Sequence, residues 1–259
     1  STTIEHIARF GLPPDRMPRN LSLSLGAGEV TPMELARAYA VFANGGYRIE
    51  PYFIDRVIDN EGAVIYRAWP HRAVEADAIE PAEPSSLGPR RPDVRPADRA
   101  ISPQNAWLMR SMLADVVASG TARAALSLGR NDLAGKTGTT NDQHDAWFAG
   151  FNHEVVAAAW VGFDELQTLG RYETGGRAAL PIWMNFMGAA LRGRPESDWP
   201  RPNGLVTVRI DPKTGVLSNS ENPDAIFETF HEEDVPVASQ GGGITGSESE
   251  DDDGARSIF

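Results

Sequence analysis

The stretch AGKTGTTNDQHDAWFAGFNHEVVAAAWVGFD, residues 134–164, decides the fold. AGKTGTT leads into two apolar runs, DAWFAGFN and VVAAAWVGFD, with short polar turns between them. Three such runs joined by short connections predict an antiparallel meander, since a parallel neighbour would need a long crossover. The first run is built from small residues, which lets another backbone approach closely. A strand of this kind can pair with an extended peptide and present the Lys136 and Thr137 side chains to its carboxylate. The Thr139 amide is placed to face a carbonyl oxygen that is becoming an oxyanion. The plainer reading is a β-strand whose lysine is simply solvated.

A Lys-Thr-Gly triplet occurs twice, at 136–138 and 213–215, and its first members are the only 2 Lys of the chain, against 22 Arg. In Asp211-Pro212-Lys213-Thr214-Gly215 the proline and glycine set a turn, so this second copy reads as an exposed hairpin tip.

Upstream, STTIEHIARF reads as the end of a helix, with Ile4, Ile7 and Ala8 on one side and Gly11 closing it. A loop runs to Gly28. Thr31-Pro32-Met33-Glu34 then forms a capping box and opens a helix through Leu35, Ala38, Tyr39 and Phe42 to Asn44-Gly45-Gly46. YRIEPYFIDRVIDNEGAVIYRA alternates as a hairpin around Asn60-Glu61-Gly62. Residues 1–68 are thus helices and a hairpin. Residues 69–100, rich in proline and charge, read as a linker or surface loop. Residues 101–235 hold a helix capped by Ser102, with Trp107, Leu108, Met112 and Leu113 at helical spacing, then the meander. They also hold a helix from about Leu180 to Leu191 and a hairpin around Asp211-Pro212. Residues 236–259 read as a disordered acidic tail. Trp107, Trp147, Trp160 and Trp183 read as core.

Composition narrows the function. Net charge is −12, but residues 221–259 carry 11 acids and one Arg, so the remaining chain is near neutral and nucleic acid is not an expected partner. There is no cysteine, hence no thiol nucleophile and no thiolate metal site. His6, His71, His144, His153 and His231 show no ligand spacing, so no metal or other cofactor is expected. His144 reads as a surface-loop residue near the cleft, and Asp142 and Asp145 read as turn acids before they read as an acid/base pair. A nucleotide-binding loop is rejected: Gly129 and Gly135 enclose five residues instead of four, and a strand follows instead of a helix.

Four stretches in order, LSLSLGAGEVTPMELARAYAVFANGGY, ISPQNAWLMRSMLADVV, VASGTARAA and AGKTGTTNDQHDAWFAGF, resemble the class A penicillin-binding proteins, bifunctional peptidoglycan glycosyltransferase/transpeptidases. GLVTVRIDPKTG resembles that family's C-terminal segment. The resemblance implies the C-terminal part of a transpeptidase domain. The fold would be α/β and penicillin-recognising, with an antiparallel sheet flanked by helices, only partly present. It implies that Lys136 serves the proton network, that Thr137 and Thr139 bind the carboxylate of a stem peptide (D-Ala-D-Ala) or β-lactam, that the Thr139 amide serves the oxyanion, and that Gly138 leaves room. It also implies a parent working at the periplasmic face of the bacterial cytoplasmic membrane through an N-terminal anchor.

Two of the three motifs of that group, S-x-x-K and S-x-N, are missing. Leu133 and Ile210 stand three places before the two lysines, so no S-x-x-K exists within residues 1–259, and Ser220-Glu221-Asn222 lies on the wrong side of the triplet. The nucleophilic serine is therefore absent, and the chain alone is expected to be inactive. The competing expectation is a non-catalytic interaction or structural fragment.

Overall fold

Ile4 is the buried residue of a short first helix, α1 (Thr2–Arg9), which Gly11 closes at φ 83°. The computed structural model describes residues 2–74, 95–219 and 221–237. The expected capping box is formed: Thr31 Oγ1 accepts from the Glu34 amide at 3.2 Å, and the Glu34 carboxylate accepts from the Thr31 amide at 2.8 Å. These bonds satisfy two donors that a helix start leaves open, and α2 (Pro32–Ala43) begins there.

The alternating run after α2 divides. β1 (Tyr47–Arg48) leaves it, and β2 (Arg56–Ile58) and β3 (Val64–Arg67) form the hairpin, whose turn is held by Asp59 Oδ1 accepting from the Glu61 and Ala63 amides. The stretch read as a linker carries short strands at its two ends. β4 (His71–Arg72) pairs in parallel with β5 (Arg95–Pro96), and β6 (Asp98–Arg99) pairs with β1. Residues 75–94 lie outside the described residues. The buried Ala97, Ala100 and Ile101 explain why these ends are held: each contributes to a packed surface that a solvated linker would lack.

Ser102 caps α3 (Pro103–Ala118), accepting from the Asn105 amide at 3.1 Å. The predicted meander follows as β7 (Ala134–Thr139), β8 (Ala146–Phe151) and β9 (Val156–Val161), in that order and antiparallel throughout. A π turn over Gly175–Ala179 leads into α4 (Leu180–Ala190).

Both faces of this sheet are covered, and strand periodicity explains how. Phe148 faces α4, where its ring meets Trp183 edge-on with centroids 4.8 Å apart and Leu180 and Met187 complete the cluster. Ala134 and Phe151 face the other way, against Tyr39, Phe42 and Leu113 of α2 and α3. Sheet and helices together make the expected α/β fold. Of the four tryptophans read as core, only Trp183 is fully buried. Trp147 and Trp160 form a cross-strand pair at the sheet's outer end, and Trp107 lies beneath the guanidinium groups of Arg110 and Arg201.

The chain forms two compact units that divide after Gly204. In the second, β10 (Leu205–Ile210) pairs over its whole length with β11 (Ile226–His231). The hairpin expected around Asp211-Pro212 shrinks to a turn closed by one bridge, Ile210 to Leu217. Ile226-Phe227-Glu228-Thr229-Phe230-His231 supplies a better partner, six residues in register. Residues 238–259, most of the stretch read as a disordered tail, lie outside the described residues. Among the described residues no helix is long and apolar enough to cross a membrane.

Candidate active site

Alternation along β7 sorts its side chains between two faces. Lys136 pairs with Ala149 and Gly138 with Trp147, on the face toward α2 and α3. Thr137 pairs with Phe148 and Thr139 with Ala146, on the face toward α4. The lysine and the two threonines thus leave the strand on opposite faces of the sheet. They rejoin at its edge. The Lys136 ammonium bends over to donate to the Thr137 carbonyl at 3.0 Å, with Thr137 Oγ1 3.5 Å away.

That edge is open. Among the described residues β7 has one strand neighbour, β8. The Thr140 amide donates to the Asp145 carbonyl at 3.1 Å, so the even-numbered residues of β7 are those bonded to β8. Gly135, Thr137 and Thr139 therefore turn their N–H and C=O groups outward. The Thr139 amide is in this outward set, as the oxyanion reading requires.

The two threonine hydroxyls are held from other elements. Thr121, just past α3, lies with its Oγ1 2.8 Å from Thr137 Oγ1. The Gly175 amide donates to Thr139 Oγ1 at 3.0 Å. Gly175 is buried flat against the sheet, where a Cβ would collide with the carbonyl oxygens of Trp147 and Gly138. Gly138 itself would bring a Cβ to 3.2 Å from that of Trp147, so its missing side chain keeps the Lys136 face open. Thr121, Gly175 and Gly176 carried no site role in the sequence reading. The Gly-Gly pair ahead of an apolar helix was the signal for close backbone approach.

The turn from β7 to β8 is strained and tied down. Asp142 and Gln143 are consecutive non-glycine residues at φ 58° and 52°, each costing on the order of 1 kcal/mol. Their carbonyls accept from Thr168 Oγ1 at 2.7 Å and the Leu169 amide at 2.8 Å. Asp145 accepts from the Trp160 indole at 2.8 Å, and His144 is half-buried in the same turn. Both aspartates are accounted for as turn residues. Lys213, by contrast, sits in an exposed turn whose amides bond to Asp211, and the nucleotide-loop geometry is absent because Lys136 lies mid-strand. Among the described residues no group of three or more His, Asp or Glu is arranged to hold a metal ion.

The family described as the penicillin binding protein transpeptidase domain matches residues 8–188. Penicillin-binding protein 1A of Pseudomonas aeruginosa is 44% identical over 280 residues, covering 97% of this chain and 34% of that protein. Penicillin-binding protein 1A of Neisseria lactamica is 46% identical over 202 residues, covering 78% of this chain and 23% of that protein. The chain therefore spans about a third or less of these curated relatives. The crystal structure of penicillin-binding protein 1A from Haemophilus influenzae superposes with a TM-score of 0.80 at 36% identity, over 92% of this chain and 37% of that one. The penicillin-binding protein PonA1 of Mycobacterium tuberculosis gives a TM-score of 0.55 at 26% identity, over 71% of this chain and 44% of that one. With the matched residues taking in α2, α3, the whole meander and most of α4, the chain belongs to the penicillin-binding protein transpeptidase domain family, as a transpeptidase region of the class A type.

Proposed function

We propose that this chain is the substrate-facing part of a peptidoglycan DD-transpeptidase, whose nucleophilic serine is supplied by sequence outside residues 1–259. The observation that carries this reading is the open edge of β7, lined by outward backbone groups, one ammonium and two hydroxyls. A stem peptide ending in D-Ala-D-Ala lies along this edge as an added antiparallel strand, giving main-chain hydrogen bonds to Thr137 and Thr139. Its terminal carboxylate takes the Thr137 and Thr139 hydroxyls, with the charge of Lys136 close by. The Thr139 amide then faces the carbonyl of the penultimate D-Ala and stabilises the oxyanion formed there.

In the intact enzyme the serine Oγ attacks that carbonyl, the C–N bond to the last D-Ala breaks, and D-Ala leaves carrying the proton. An amine of a neighbouring stem peptide attacks the resulting ester and releases the serine, completing the cross-link. A β-lactam enters the same way, but its ring amide opens without leaving. Lys136 sits beside the path of the proton, on the face toward α2 and α3, and Gly138 keeps that face clear of side chain. This activity places the parent at the periplasmic face of the bacterial cytoplasmic membrane, held by a segment outside this chain.

Lys136→Ala, in the protein carrying residues 1–259 together with its S-x-x-K segment, tests the role of the lysine. Labelling with a fluorescent penicillin should be lost while the circular dichroism spectrum stays that of the parent. Undiminished labelling would remove Lys136 from the mechanism.

A further inference from the structure

A threonine hydroxyl has one proton and two lone pairs, whereas a carboxylate only accepts. A hydroxyl that binds a carboxylate must therefore give its own proton outward and take its internal hydrogen bonds as an acceptor. Thr139 meets this condition through the Gly175 amide, which has no other role than donor and lies 3.0 Å from Thr139 Oγ1. The matching partner of Thr137 is the Thr121 hydroxyl at 2.8 Å, where either oxygen can be the donor. The Lys136 ammonium, at 3.5 Å, is at the far limit of a hydrogen bond and is closer to the Thr137 carbonyl.

Resting on the transpeptidase reading above, we propose that Thr121 is a positioning residue of the carboxylate site, donating to Thr137 Oγ1 so that the Thr137 proton turns toward the ligand. Thr121 does not touch the reacting atoms. It sits 16 residues before Thr137, on the turn that follows α3, with Gly176 passing beside both. A Cβ at Gly176 would lie 3.1 Å from the Thr121 carbonyl oxygen and 3.8 Å from Thr137 Cγ2. The site thus has two back-up donors from separate elements, one hydroxyl and one amide, behind two strand hydroxyls that share a face.

The test uses Thr121→Val, which removes the hydroxyl at nearly constant shape, and Thr121→Ser, which retains it. Both are made in the protein carrying residues 1–259 and its S-x-x-K segment. Acylation by benzylpenicillin, and by benzylpenicillin methyl ester, which lacks the anionic carboxylate, is followed by intact-protein mass spectrometry. T121V should slow acylation by benzylpenicillin about tenfold, the loss expected when one hydrogen bond to a charged group is misdirected. It should slow the ester less, since a neutral carbonyl accepts more weakly than a carboxylate, and T121S should restore the parent rate. Equal rates for T121V and the parent would overturn the proposal. So would a T121V loss of the same size on both compounds, since that pattern marks a purely structural role. If the parent itself reacts with neither compound, the transpeptidase reading falls, and this inference with it.

Discussion

Asp132 is a buried carboxylate at the foot of β7. Arg130 grips it with two hydrogen bonds of 2.8 and 2.6 Å, Asn152 donates at 3.1 Å and the Ser197 amide at 3.3 Å. Burial alone would raise its pKa, but the bonds from Arg130, Asn152 and Ser197 outweigh burial and hold the carboxyl below its usual range. A folded pKa below the unfolded value, about 3.9, means stability that is present above that pH and lost as pH falls through the folded pKa. Asp132→Asn should therefore destabilise the fold by about 1–2 kcal/mol at neutral pH, the scale of hydrogen bonds to a partly solvated charged group. The gap between parent and variant should narrow as pH falls below about 4. Urea unfolding at a series of pH values measures both, and a gap that stays constant into acid would show that the ion pair is not its source. At this scale Lys136 was legible because a chain with so few lysines makes each one conspicuous. The separation of Lys136 from Thr137 and Thr139 was also open to reading, since strand periodicity sends neighbours to opposite faces. Thr121 was not legible: its partner is distant in sequence, and nothing local marks a hydroxyl as a hydrogen-bond donor to a strand.

Elements whose local chemistry and long-range packing agree were readable, and α2 is the plainest case. The Thr31 cap, Pro32 in the first turn and the Glu34 return bond all act within four residues, so the sequence states the helix start outright. The meander was equally open, its three runs being joined by turns too short for any other pairing. β11 was missed for a physical reason. Its apolar residues, Ile226, Phe227 and Phe230, do not alternate and stand in acidic sequence, so neither periodicity nor charge marked a strand there. The turn at Asp211 was placed correctly, but the partner of β10 depends on a ladder that no local signal announces. Close contact between the π turn and the sheet leads to a prediction of the same scale. Gly175→Ala should destabilise the fold by about 1–3 kcal/mol, because the obstructing atoms are backbone and have no rotamer to yield. Gly188→Ala, whose new Cβ would meet the flexible end of Leu128 at 3.2 Å, should cost less. Thermal melting compares the two, and a G175A protein that melts with the parent would contradict the packing described for the site.

At the scale of the whole chain, a groove of about 500 Å³ runs among α1, α2 and α3, lined by Ile7, Phe10, Tyr39, Phe42, Leu108 and Met112. The chain covers 34% of its Pseudomonas aeruginosa relative, and of the family's three motifs it carries the Lys-Thr-Gly triplet on β7. Charge composition located the acidity in the C-terminal stretch and left the fold to pattern and motif. Under the proposed function, the β7 strand binds a β-lactam and acylation requires a serine from outside residues 1–259. Intact-protein mass spectrometry after incubation with benzylpenicillin tests it most directly. Residues 1–259 alone should keep their mass, while the protein extended to include its S-x-x-K segment should gain one penicilloyl group on that serine. A covalent adduct on residues 1–259 alone, or none on the extended protein, would contradict it.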